Sequence, residues 1–235
     1  MPHGSRPSRI AAAPPARGAW LHRMRITKLE HAAVVLEEGG RRLVIDPGGL
    51  SNPVLGLDRV DAVVVTHEHP DHWTPDQLRR ILEPNRDAVV LGPSSVARAA
   101  DGFDVRVVEA GTTTEVGPWS LRFFGGNHAV IHPSMPVVEN VGVLVNDRFY
   151  YPGDSFFIPL GVEVDVLAAP AGAPWLKVSE AMDFVSQVAP KRAFGTHDGV
   201  LSAAGAGIAH DRLRAVTEAA GGEYFALQAG DVLDG

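Results

Sequence analysis

The sequence predicts an α/β protein: one domain with two β-rich halves and helices on the outside, a four-layer arrangement. Three observations carry this expectation. Short apolar or alternating stretches recur along both halves of the chain. Helix-patterned stretches follow strands in each half and do not gather at one end. No Pro/Ser-rich linker divides residues 24–235, so they are expected to form a single domain.

RITKLE, AAVVLEE and RRLVIDPG, between residues 25 and 48, alternate or run apolar and predict three strands, with Glu38-Gly39-Gly40 as a hairpin turn. The apolar run in DAVVVTH predicts a short strand buried on both faces. In TPDQLRRILEP, Thr74 suits an N-cap, Pro75 the first helical position, and Gln77 completes the capping-box spacing. Leu78, Ile81 and Leu82 give that helix its buried face, and Pro84 ends it. AVVLG, FDVRVVEA, TTTEVG and WSLRFFGG read as strands, with a short helix over SSVARAA. VGVLVND, turning at Asn146-Asp147, leads into RFYYPGD. VDVLAAP and RAFGTH flank a helix at SEAMDFVSQVA that Pro190 ends. HDRLRAVTEAA predicts the last helix and EYFALQAGDVL the terminal strands, and no short tandem repeat is present.

Composition bounds the function. With 235 residues, 45% of them hydrophobic, the chain can bury a sizeable core. No apolar run approaches the ~20 residues of a membrane helix, so no membrane partner is expected. Cys is absent, so any metal site must use His, Asp and Glu. The net charge is −7, yet residues 1–23 carry Arg6, Arg9, Arg17 and Arg23 and no acid. The body is therefore more acidic still, which argues against nucleic-acid binding. The first 23 residues, rich in Pro, Ala and Arg, lack an apolar stretch long enough for a secretory signal. They predict a disordered extension, with His3 and His22 solvated; alternatively the natural chain starts at Met24. A cytoplasmic location is expected, and a homo-oligomer is compatible with the chain.

The chemistry is concentrated where strands stop. DAVVVT ends at His67-x-His69-x-Asp71-His72, LRFFGGN at His128, RFYYPG at Asp154, and RAFGT at His197. Loops at strand ends are where sheet proteins place functional groups. His67 and His69, two apart, share a side of an extended segment, and Pro70 lets Asp71 and His72 approach from another direction. Seven N and O donors exceed what one tetrahedral Zn²⁺ takes and suit two ions.

This ordered set resembles the metallo-β-lactamase superfamily. THEHPDH matches its H-x-H-x-D-H motif, Asp46 in LVIDPG its upstream carboxylate, and His128, Asp154 and His197 its later single-residue motifs. LEHAAVVLE and the compact length are similar to the branch that includes ascorbate-6-phosphate lactonase. The resemblance spans roughly residues 24–235 and implies an αββα sandwich with metals at one edge of two sheets. It implies that His67, His69 and His128 hold one ion, that Asp71, His72 and His197 hold the other, and that Asp154 bridges them. Asp46 then orients the motif loop from behind the ligands. The implied activity is metal-dependent hydrolysis of a small-molecule ester, lactone, amide or phosphodiester, with Asp71 holding or shuttling the proton. Zn²⁺ is the expected ion, with Mn²⁺ or Fe as alternatives.

Taken singly, each residue has a plainer reading. A lone strand-end histidine is ordinarily just hydrogen-bonded, and Asp154 or His197-Asp198-Gly199 can be turn residues. The ordered set is what raises them to ligands. Glu68 should point away from the cluster. His31 and His132 are candidate substrate contacts, each weighed against a structural or loop role. His210 reads as surface or cap, and Trp73 and Trp175 as pocket walls or core. Residues 205–207 lack the context of a phosphate loop. The loop HAVIHPSMPVVEN, where substrate selection is expected, matches no particular activity. Competing functions are a nuclease of the same superfamily, which the acidic body disfavours, and a diiron oxygen-reducing protein, which needs a flavin domain. A non-catalytic metal-binding protein on the same fold is the third, and the intact ligand set disfavours it.

Overall fold

The computed structural model describes residues 24–234, and the expected N-terminal extension lies outside them. The first half supplies strands β1 (Arg25–Lys28), β2 (Val34–Glu38), β3 (Arg41–Ile45), β4 (Val60–Val64), β5 (Val89–Gly92) and β6 (Val105–Val107), with helices α1 (Pro75–Leu82) and α2 (Ser94–Ala99). The second half supplies β7 (Thr113–Val116), β8 (Trp119–Asn127), β9 (Glu139–Val145), β10 (Phe149–Tyr151), β11 (Val166–Pro170), β12 (Arg192–Thr196) and β13 (Glu223–Phe225). It also carries α3 (Val178–Val188), α4 (Ala203–Ala219) and β14 (Val232–Asp234). Two seven-stranded sheets result, ordered β14-β1-β2-β3-β4-β5-β6 and β13-β12-β11-β10-β9-β8-β7.

Side-chain alternation along each strand builds the four layers. In β4 and just beyond it, Ala62 and Val64 face the other sheet, while Val63 and Val65 pack with Leu78 and Ile81 of α1. In β10, Phe149 and Tyr151 face inward and Tyr150 packs outward with Phe184 of α3 and Leu213 of α4. The inner layer is filled by Trp119, Phe123, Phe149 and Phe194, all essentially without exposure, each contributing about 1.5–3 kcal/mol by burial. The expected αββα sandwich is observed.

Topology places the site. β3, β4, β5 and β6 run parallel in the first sheet and β10, β11, β12 and β13 in the second, so successive strands end on the same edge of their sheet. The edges meet through Val141 N donating to Thr66 O (3.0 Å) and Tyr151 Oη donating to Ala32 O (2.9 Å). The hairpin at Gly39-Gly40 forms as expected, since both glycines hold positive φ (59° and 74°).

Three local expectations need correction. The last helix starts seven residues before His210, because Ser202 caps it by accepting from Gly205 N (3.1 Å). His210 is therefore a buried mid-helix residue bonded to Tyr224 Oη (2.6 Å), not a surface cap. EYFALQAGDVL forms the terminal strands as expected, β13 beside β12 in the second sheet and β14 beside β1 in the first. The capping box of α1 is half-formed: Thr74 Oγ1 accepts from Gln77 N, but the Gln77 side chain is spent elsewhere.

Candidate metal centre

His67 lies three residues past β4, His128 directly after β8, Asp154 three residues past β10 and His197 directly after β12. Asp46 directly follows β3, and His31 sits in the β1–β2 connection. His31, Asp46 and His197 adopt left-handed backbone (φ 56°, 47° and 56°), which non-glycine residues rarely do outside functional sites. At Gly48 an added Cβ would lie 1.6 Å from Asp71 O, so only glycine lets the Asp46 loop pass beneath the His67–His72 loop.

The cluster falls into three overlapping sets, in each of which the ligand atoms lie within 4.8 Å of one another: His67 with His69 and His128, His31 with Asp71, His72 and His197, and His67 with His72 and Asp154. The two carboxylates sit between the imidazoles. Asp154 Oδ2 lies 3.1 Å from His197 Nε2 and 3.3 Å from His128 Nε2, and its Oδ1 lies 3.2 Å from His72 Nε2. Asp71 Oδ2 lies 3.4 Å from His197 Nε2 and 3.2 Å from His31 Nε2.

Partners of the outer ring nitrogens decide what faces inward. His72 Nδ1 donates to Asp46 Oδ2 (2.7 Å), His197 Nδ1 to Gly172 O (2.6 Å) and His128 Nδ1 to Ala129 O. His67 Nδ1 donates to Thr66 Oγ1 (3.0 Å), whose own proton goes to Asp46 Oδ2 (2.7 Å). With Nδ1 protonated, the neutral imidazoles turn Nε2 lone pairs toward Asp154 and one another. His72 Nε2, His128 Nε2, His197 Nε2 and Asp154 Oδ1 are accordingly buried without a hydrogen bond, although each of the three nitrogens lies close to an oxygen of Asp154. Lone pairs facing carboxylate oxygens are tenable only with cations between them. The donor set of imidazoles and carboxylates fits divalent metal.

The electrostatics agree. Burial lowers His67 well below its usual pKa, with the neighbouring His72 charge adding to it. At His72 burial is outweighed by Asp154 and Asp46, and the pKa stands well above the ordinary value. At His197 burial is likewise outweighed, by hydrogen bonds with Asp154 and Asp71, and the pKa is pushed up to about 9. Burial alone would raise Asp71 and Asp154, but the surrounding imidazoles hold both carboxyls well below the usual range. Without metal, protons on His72 and His197 take the cation's place.

Among the residues singled out from sequence, His67, His69, Asp71, His72, His128, Asp154 and His197 converge. His31 converges with them and is fully buried. His132 does not join them: it is exposed, with Nδ1 on Ser134. Trp175 touches the site, donating from Nε1 to Asp154 Oδ2 (2.8 Å), whereas Trp73 belongs to the core beneath α1. Sequence reasoning missed Asn140, which accepts from Asp154 N (3.0 Å) and donates to Pro152 O (3.0 Å). It also missed Lys28, buried and paired with Asp198 (3.1 Å) beside His197. Neither lies in a motif, so no local signal marked them.

A family model described as a β-lactamase superfamily domain matches residues 25–197. The chain belongs to the metallo-β-lactamase superfamily. Protein Rv0786c of Mycobacterium tuberculosis is 39% identical over 200 residues, covering 83% of this chain and 93% of that protein. A protein of Aeropyrum pernix named UPF0173 metal-dependent hydrolase is 41% identical over 162 residues, covering 60% of this chain and 64% of that one. Among solved structures, Igni18, a metallo hydrolase of Ignicoccus hospitalis, superposes with TM-score 0.68 at 18% identity, covering 91% of this chain and 98% of that one. CmlA, a diiron β-hydroxylase of Streptomyces venezuelae, superposes with TM-score 0.69 at 18% identity, covering 90% of this chain and 54% of that one. At such identities the structures share the fold. Within the metallo-β-lactamase superfamily this chain stands with the metal-dependent hydrolases. None of these names is a lactonase, so the narrower branch expectation gains nothing from them.

Proposed function

We propose that this metallo-β-lactamase-superfamily protein is a hydrolase with a dinuclear centre, acting on a small-molecule ester, lactone or phosphodiester. One observation carries the reading: two ligand sets, His67/His69/His128 and Asp71/His72/His197, meet at Asp154, where His72 Nε2, His128 Nε2, His197 Nε2 and Asp154 Oδ1 are buried without a hydrogen bond. His67, His69 and His128 would hold one ion, Asp71, His72 and His197 the second, and Asp154 both. Two divalent ions held so would bring a water's pKa toward neutrality and polarise the substrate oxygen. Zn²⁺ is the first ion to supply, with Mn²⁺ and Fe next because oxygen donors are present.

The chain's own residues contribute order and charge. Asp46 receives Thr66 N (2.8 Å), Thr66 Oγ1 and His72 Nδ1, which locks the loop that carries three of the histidines. Trp175 and Asn140 fix the Asp154 carboxylate and its backbone. Asp71 is the more exposed of the two inner carboxylates (28% against 4%), so it faces the side from which substrate arrives and is the group placed to hold the reacting proton.

Elemental analysis of protein purified without added metal, together with a hydrolysis screen with and without chelator, tests this. About two transition-metal ions per chain are expected, lost in His67→Ala and Asp154→Ala, with chelator-sensitive hydrolysis in the wild type. Wild-type protein that neither contains nor takes up Zn²⁺, Mn²⁺ or Fe sinks the reading.

A further inference from the structure

His31 differs from the other imidazoles of the cluster in the direction of its hydrogen bonds. Its backbone and ring are held by the segment after β12. His197 N donates to His31 O (2.9 Å), and Gly199 N donates to His31 Nδ1 (3.2 Å). A backbone amide can only donate, so His31 Nδ1 carries the lone pair. Its proton therefore sits on Nε2, and Nε2 points at Asp71 Oδ2, 3.2 Å away. His67, His72, His128 and His197 have the opposite arrangement, with protons outward on Nδ1 and lone pairs inward. Distance alone groups His31 with Asp71, His72 and His197 as ligands. Hydrogen-bond polarity separates it from them, because a metal needs the lone pair that His31 has turned away.

We propose that His31 is a hydrogen-bond donor and not a metal ligand: a positioning residue that fixes the Asp71 carboxylate through Nε2–H. The packing supports a fixed ring. His31 is fully buried, its ring centroid lies 4.0 Å from that of His197, and a Cβ added at Gly199 would lie 3.0 Å from Nδ1. Lys28, on the strand leading to His31, pairs with Asp198 in the same segment, so the two chain stretches are tied on both sides of the ring. Carboxylate ligands are themselves oriented by such partners, and loss of one costs ~10–100-fold in metal affinity. The inference depends on the dinuclear reading only where it names Asp71 a ligand.

Long-range ¹H–¹⁵N correlation spectra of histidine-labelled protein read each ring's tautomer. The expected pattern is Nε2–H for His31 and Nδ1–H for His67, His128 and His197 once Zn²⁺ is bound. An Nδ1–H tautomer for His31 in that state overturns the proposal. Metal content gives the second arm. At saturating Zn²⁺, His31→Gln and His31→Ala are expected to keep the wild-type number of ions, whereas His72→Ala loses one. His31→Ala should bind the weaker ion ~10–100-fold less tightly, and His31→Gln, which retains an N–H donor, should recover part of that affinity. One ion fewer in both His31 variants makes His31 a ligand, and unchanged affinity in His31→Ala removes its positioning role. Should wild-type protein take up no metal, the dinuclear reading fails, while the His31 tautomer is still read in the metal-free protein, where Nδ1–H would overturn the donor assignment alone.

Discussion

At the scale of the residue, each imidazole's role follows from what touches the ring nitrogen turned away from the centre. Gly172 O, Ala129 O, Thr66 Oγ1 and Asp46 Oδ2 accept protons and leave lone pairs inside. In the metal-free protein His197 binds a second proton, since its pKa is raised to about 9 from an ordinary value of 6.5. A raised folded-state pKa stabilises fully below the unfolded value, and that stability disappears as pH rises through about 9. Zn²⁺ must displace that proton, so calorimetric titration near pH ~7.5, in buffers of differing ionisation enthalpy, should read release of about one proton or more per chain. The release should shrink as pH passes about 9. A pH-independent release would mean that His197 is not protonated in the metal-free protein. Among the described residues, metal-free protein should also lose stability from this histidine between pH 6.5 and about 9, whereas the loaded protein should not.

At the scale of the element, short loops and helix α1 do the positioning. Gln77 Nε2 donates to Asn52 O (2.9 Å) and Gln77 Oε1 accepts from Val54 N (3.0 Å), so α1 holds the segment that follows Asp46. Gly48 in that segment has no room for a side chain against Asp71 O. Gly48→Ala should cost about 3 kcal/mol or more, because backbone and not a flexible side chain must give way. It should also weaken metal binding, because the displaced loop carries Asp71 and His72. Gly39→Ala, where a Cβ meets nothing within 4 Å, is the comparison: it should leave metal content unchanged and lose only its backbone preference at φ 59°. Denaturant midpoints and metal content of the two variants check this. Equal effects in both would remove the steric argument.

At the scale of the molecule, each proposed ion joins the two sheets. His67, His69, Asp71 and His72 hang from the first sheet, and His128, Asp154 and His197 from the second. Metal should therefore stabilise the whole sandwich, by about 2.7 kcal/mol when free ion is 100 times its Kd. Thermal unfolding should be one transition whose midpoint rises with Zn²⁺ and falls with chelator. A midpoint indifferent to both would mean that the centre does not clamp the sheets.

Much of this was legible in the chain itself. Apolar runs marked the central strands because these are buried on both faces, as at residues 34–36, 43–45 and 62–65, and period-two alternation marked strands with one more open face, such as β8. THEHPDH and the single residues after later strands were legible because metal chemistry demands those side chains whatever surrounds them. Other features depended on residues far apart in sequence. Gly-rich AAGAGIA became helix because Ser202 caps it and the α4 face packs on the second sheet. His210 is buried against Tyr224, 14 residues on, whose hydroxyl shares a hydrogen bond with its Nδ1. The polarity of His31 rests on Gly199, 168 residues away. The sequence by itself determined which chemistry this protein carries, since donor atoms belong to residue types. Only the tertiary structure decided which nitrogen of each histidine bears the proton, because that is set by the partner the fold places on the ring's other side.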